Sequence, residues 1–184
     1  MNGFTPALLD AVAMAAIAHN GQLRKDGRTP YVSHVIRVCL IARQLFQVGD
    51  EKTLIAAVLH DVIEDTTIDF DDIEAKFGKV VAEWVAALSK DKRLPEDHRE
   101  AVYIEKLRSS PCPVQLIKLA DILDNHLDSL RMPSSQRETV VRRTTAYLDA
   151  LADSPFDEVK RAYRLVRKLL EESSRESEAV VGGE

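Results

Sequence analysis

Apolar residues recur in this chain at intervals of three and four and seldom alternate with polar ones, a pattern that confines it to helices packed on helices. Val35, Val38, Ile41, Ala42 and Leu45 fall on one such stripe. Gly and Pro number seven each among 184 residues, leaving room for long uninterrupted helices. The pattern predicts helices over 7–18, 31–47, 51–63, 69–77, 80–88, 99–108, 114–130, 134–151 and 157–172. Thr5-Pro6 reads as the cap and first turn of the first, and Gly78 as the stop of the fourth. A basic loop, residues 22–30, separates the first two, and Ser109-Ser110-Pro111-Cys112-Pro113 forms a firm break that leaves Cys112 in a loop. The expectation is an all-α, compact domain over 1–172, followed by a polar C-terminal tail, 173–184, that frays.

Charge and composition narrow the partners. With 25 basic and 30 acidic residues the net charge is −5, which argues against a broad nucleic-acid footprint but leaves a small anionic substrate open. Cys39 lies in an apolar run and Cys112 between two prolines, without metal-type spacing. No window has the length and apolarity of a membrane span, and no signal-type segment opens the chain, so the cytoplasm is the expected location.

The chemistry concentrates in Leu59-His60-Asp61-Val62-Ile63-Glu64-Asp65-Thr66. His60 and Glu64 are four apart, as are Asp61 and Asp65, so one continuous helix would stack these groups on adjacent rows. The apolar run Ile55–Leu59 before them belongs inside, where an unpaired carboxylate is costly. Either a divalent cation, for which imidazole and carboxylate are suitable ligands, or a helix-end salt-bridge cluster would remove that cost. Asp121 interrupts the apolar face of Leu116, Ile117, Ala120 and Leu123, and a buried acid there needs a partner. His34 opens the second helix, and Asn125 lies one turn beyond Asp121.

The ordered set His34, His60-Asp61 and Asp121 resembles the HD superfamily of metal-dependent phosphohydrolases. The wider pieces are similar to the (p)ppGpp hydrolase domain of the Rel/Spo enzymes, and to their single-domain small alarmone hydrolases in particular. These are Ala18–Gly27, Thr29–His34, Leu59–Thr66, Phe77-Gly78 and Lys118–Asp121 with Asn125, together spanning about residues 7–150. The resemblance implies a helical HD domain with its metal site in the core, which hydrolyses the 3′-pyrophosphate of (p)ppGpp to GDP or GTP and pyrophosphate. It implies His34, His60, Asp61 and Asp121 as ligands of one Mn²⁺ ion. Glu64 and Asp65 would serve the attacking water and the leaving group, with Arg24, Lys25, Asn125 and Arg143 on the nucleotide.

Independently of the family, hydrolysis of a phosphate ester needs a cation and a nearby carboxylate, and Glu64 and Asp65 lie one turn from the expected ligands. The chain departs from the family pattern at Val35, Arg37, Glu96, Ile122, Asp124, His126 and Asp128. Two other readings stand beside this one. The first is an HD phosphohydrolase for a different nucleotide, NADPH included. The second is a nucleotide-sensing module without turnover, against which the intact Glu64-Asp65 pair argues. His19 reads as structural or as support for a ligand, His98 as a solvated helix start, and His126 as an exposed or pocket-lining position.

Overall fold

The computed structural model describes residues 5–130, 132 and 134–181. Among these, the chain is helical with one isolated bridge, Leu23 to Pro30. In order, the helices are α1 (Pro6–Ala18), α2 (Val32–Gln44), α3 (Glu51–Leu59), α4 (Val62–Asp65), α5 (Phe70–Phe77) and α6 (Lys79–Leu88). They continue with α7 (Glu96–Ser109), α8 (Cys112–Ser129), α9 (Ser134–Leu151) and α10 (Asp157–Val181). None of the described helices is long and apolar enough to cross a membrane.

Local chemistry sets the ends. The Thr5 side chain accepts from Leu8 N at the start of α1, which has Pro in its first turn. Asp69 and Asp72 form a reciprocal capping box at the start of α5. Gly78 is both the last cap of α5 and the first of α6, at φ 86°, a left-handed turn that a side chain would strain. Lys106 Nζ donates to the Ala86 and Ser89 carbonyls at 2.8 and 3.0 Å, closing the C-terminal end of α6.

Helix α8 is the axis of the fold. It packs against α2, α3, α6, α7, α9 and α10, and all its residues from Val114 to Asp124 are buried. Gln115 fastens its start: the amide donates to the Leu107, Arg108 and Ser110 carbonyls, and its oxygen accepts from the Ser154 hydroxyl at 2.6 Å. A buried polar group so completely partnered holds the α7–α8 turn without an unpaired atom. Helices α2 and α3 lie on the same side of α8, which brings His34, His60 and Asp121 together.

Four expectations need correction. The helix foreseen over 51–63 breaks at His60-Asp61: α3 ends at Leu59 and the short α4 starts at Val62. His60 Nδ1 donates to the Ala57 carbonyl at 2.9 Å, the acceptor that Asp61 N–H would use in an unbroken helix. Cys112 opens α8 instead of lying in a loop. Helix α10 runs past Glu172 to Val181, so the tail is helical over 173–181; residues 182–184 lie outside the described residues. Finally, His126 is neither exposed nor on the cleft below: it is buried toward α10, with Nε2 3.1 Å from Ser173 Oγ.

Candidate functional site

Each imidazole in the core is turned by what holds its outer nitrogen. His60 Nδ1–H is tied to the Ala57 carbonyl, and His34 Nδ1 lies 2.6 Å from Asp124 Oδ2. Both Nε2 atoms therefore face inward, where they can take a proton or a metal ion. His34 Nε2 lies 3.2 Å from Asp121 Oδ1 and 3.5 Å from Asp61 Oδ2. His60 Nε2 lies 3.1 Å from Asp61 Oδ2 and 3.8 Å from Asp121 Oδ1; it is buried and makes no hydrogen bond.

Two lone pairs pointed at two carboxylates repel unless positive charge, a proton or a metal ion, lies between them. Burial opposes charge on His34, yet the carboxylates of Asp121, Asp124 and Asp61 around it raise its pKa to about 9. At His60 burial again opposes, and the charge of Asp61 with Asp121 beside it raises the value to about 10. The cluster draws positive charge, and its nitrogen and oxygen donors suit a divalent metal ion. His34, His60 and Asp121 offer ligand atoms within 4.8 Å of one another. Asp61 adjoins this group, its Oδ2 also accepting the Tyr31 hydroxyl at 2.6 Å.

The other faces of the acids are held by cations and amides. Lys118 Nζ is 2.7 Å from Asp121 Oδ2, and the Asn125 amide donates to Asp121 Oδ1. Burial opposes ionisation of Asp121, but Lys118 and the two imidazoles hold its carboxyl well below the usual range. Lys118 itself stands 4.3 Å from the centroid of the Tyr147 ring, a cation–π contact.

A cleft of about 200 Å³ opens over the cluster. Glu64 and Asp65 line it together with Lys25, Lys90, Asn125 and Arg143, among others. Glu64 Oε2 accepts from Lys90 N at 2.9 Å, and burial, with Asp61 and Asp65 nearby, lifts its pKa above the ordinary value. Asp65 Oδ1 takes Lys92 Nζ at 2.5 Å, and its carbonyl takes the Gln22 amide at 2.8 Å. The Gln22 oxygen in turn meets His19 Nδ1 at 2.8 Å, so His19 supports the wall as expected and stays outside the metal-type cluster. Arg143, unlike exposed Arg142, reaches the cleft, where it also pairs with Glu96.

Arg24 is placed differently from Lys25. Its guanidinium is taken by Asp128 Oδ2 and Asn125 Oδ1, both at 2.9 Å, and it lies over the Tyr31 ring. The loop that carries it is a small hairpin, closed by Arg24 N to Thr29 O and Tyr31 N to Gln22 O. Asp26 braces its turn through the Thr29 hydroxyl and the Thr29 and Arg28 amides, which draw its carboxyl down to about 2.

Sequence reasoning passed over Tyr31, Lys90, Lys118 and the role of Asp124. The one signal available was that Lys118 and Asp124 flank Asp121 at three-residue steps on a helix otherwise apolar there.

Comparison with known proteins places this arrangement. The family model of the HD domain matches residues 11–153. The chain belongs to the HD domain family. Within that family it is similar to the guanosine-3′,5′-bis(diphosphate) 3′-pyrophosphohydrolase MESH1 of Drosophila melanogaster, 44% identical over 121 residues that cover 65% of this chain and 68% of the relative. The bifunctional (p)ppGpp synthase/hydrolase SpoT of Escherichia coli is 38% identical over 154 residues, 79% of this chain and 21% of that one. A solved structure of a metazoan ortholog of SpoT that hydrolyses ppGpp superposes with a TM-score of 0.79 at 33% identity, covering 90% of this HD protein and 96% of its own chain.

Proposed function

We propose that this HD protein hydrolyses the 3′-pyrophosphate of (p)ppGpp, giving GDP or GTP and pyrophosphate, with one Mn²⁺ held by His34, His60, Asp61 and Asp121. The observation that carries the reading is the pair of inward-facing Nε2 atoms set against two carboxylates, with Glu64 in the same cleft. Relatives named for this reaction support the choice of substrate. The proposal treats 1–172 as one catalytic domain in the cytoplasm, with a small nucleotide as its partner.

A divalent cation in the cluster would screen the phosphoryl oxygens and acidify the attacking water. The chain's own residues do the rest. Lys25, Lys90 and Arg143 line the cleft and supply cationic groups for a substrate with two pyrophosphates. Water attacks the phosphorus next to the ribose, the bond to the 3′-oxygen breaks, and a proton must reach that oxygen. Glu64 carries this proton, because burial raises its affinity for one. Asp65, fastened by Lys92 and by Gln22 through its backbone, orients the water. Tyr31 holds Asp61 in register through its hydroxyl.

The test is a panel of ppGpp, GTP, dATP and NADPH incubated with Mn²⁺-loaded protein, products separated by ion-exchange chromatography. The reading expects conversion of ppGpp to GDP and pyrophosphate with the other nucleotides largely intact. Rapid turnover of another nucleotide with ppGpp untouched would overturn the substrate and leave the metal cluster standing.

A further inference from the structure

The two imidazoles at the cluster are held in the same tautomer by unlike acceptors. His60 leans on a backbone carbonyl, which no substitution changes. His34 leans on a side chain: Asp124 Oδ2, at 2.6 Å, with both residues almost fully buried. Asp124 does not line the cleft, so it meets the imidazole from behind. Arg37 then grips Asp124 with two bonds, Nε to Oδ1 at 2.6 Å and Nη2 to Oδ2 at 3.0 Å, and its Nη2 also reaches Asp128 at 3.0 Å.

These contacts follow from helix spacing. His34 and Arg37 are three apart on α2, and Asp121 and Asp124 are three apart on α8. Each helix thus contributes one group to the cluster and, one turn on, one group to a brace behind it. A carboxylate behind an imidazole fixes which nitrogen carries the proton, fixes the ring's rotation, and raises the electron density at the other nitrogen. Arg37 offsets the cost of burying that carboxylate near Asp121 and Asp128.

We infer that Asp124, steadied by Arg37, is a positioning residue that sets the affinity of His34 for the cation. This rests on the cation reading above. Arg37 bonds no group of the cluster, and its two bonds to Asp124 make that carboxylate its shortest route to the cation. The effects of the two residues are therefore not additive: once position 124 carries no charge, changing Arg37 adds little.

The experiment is isothermal titration of chelator-stripped protein with Mn²⁺ for wild type, Asp124→Asn, Arg37→Gln and the double variant. Circular dichroism and urea midpoints in EDTA serve as the check on folding. Asp124→Asn keeps the shape and an acceptor oxygen, and should weaken Mn²⁺ binding by about 10- to 100-fold, the usual effect of losing such an outer partner. Arg37→Gln should weaken it less, and the double variant should match Asp124→Asn alone. Saturating Mn²⁺ should restore most of the turnover of Asp124→Asn, which general disruption of the core would not allow. An unchanged dissociation constant in a folded Asp124→Asn overturns the inference, as does an Arg37→Gln effect that persists in full beside Asp124→Asn. Should Asp124→Asn fail to fold, Arg37→Gln decides alone: unaltered Mn²⁺ binding there overturns the brace. Wild-type protein that binds no Mn²⁺ would instead remove the cation reading itself, and the inference with it.

Discussion

Replacing Lys118 with Met tests the electrostatics of the core most sharply, because the change keeps the stem and removes only the charge. Lys118 and Asp121 are 7% and 6% exposed, and their charged atoms are 2.7 Å apart. Removing one member of such a pair leaves a buried charge uncompensated, at a cost of about 3–5 kcal/mol. Loss of the contact with the Tyr147 ring adds up to about 2 kcal/mol. His34, His60 and the Asn125 amide still face Asp121, so the lower figure is the better expectation. About 3 kcal/mol corresponds to a fall in Tm of roughly 6–12 °C for a chain of this size. Urea unfolding followed by circular dichroism in EDTA would read it. In saturating Mn²⁺ the loss should shrink, since the cation then supplies positive charge beside Asp121. A loss under about 1 kcal/mol in EDTA would mean the pair behaves like a screened surface pair. An equal loss in EDTA and Mn²⁺ would mean that Asp121 does not face the cation.

Further outcomes follow from the other contacts. Glu64→Gln should retain Mn²⁺ and lower kcat by about 10²-fold, as measured by steady-state kinetics and metal analysis. With Glu64 as the proposed proton carrier, wild-type kcat should fall as pH rises through its raised pKa, and that limb should be absent from the profile of Glu64→Gln. Tyr31→Phe removes the hydroxyl on Asp61 and should weaken Mn²⁺ binding by roughly tenfold, the scale of one hydrogen bond to a charged group; titration calorimetry would show it. Arg24→Ala should raise KM for ppGpp with kcat little changed, because the loop loses its ties to Asp128 and Asn125 while the cluster is untouched.

The helical plan and the residues of the cluster were legible because both are written in local spacing. Thr5-Pro6 marks a helix start, and Asp121 stands out against the apolar residues around it. The break at His60-Asp61 was not legible. The apolar pattern runs on through Val62 and Ile63, and what ends the helix is a side-chain bond from His60 to the backbone. His126 read as exposed or pocket-lining because the residues that bury it belong to α10, nearly fifty positions away, and a polar sequence concealed how far that helix continues. The partners of the cluster were hidden for the same reason. Tyr31 with Asp61, and Arg37 with Asp124, meet only after α2, α3 and α8 pack. Departures from the family pattern at Arg37, Asp124 and Asp128 looked unrelated along the chain, yet the fold joins them into one ionic network with Arg24.

The central claim is that a cation held by inward-facing imidazoles drives hydrolysis of the 3′-pyrophosphate. It is tested most directly by measuring pyrophosphate released from ppGpp, side by side, for Mn²⁺-loaded wild type and His60→Ala, with bound metal determined on the same samples. The account predicts release by the wild type and loss of both metal and release in the variant; equal release from the two proteins would contradict it.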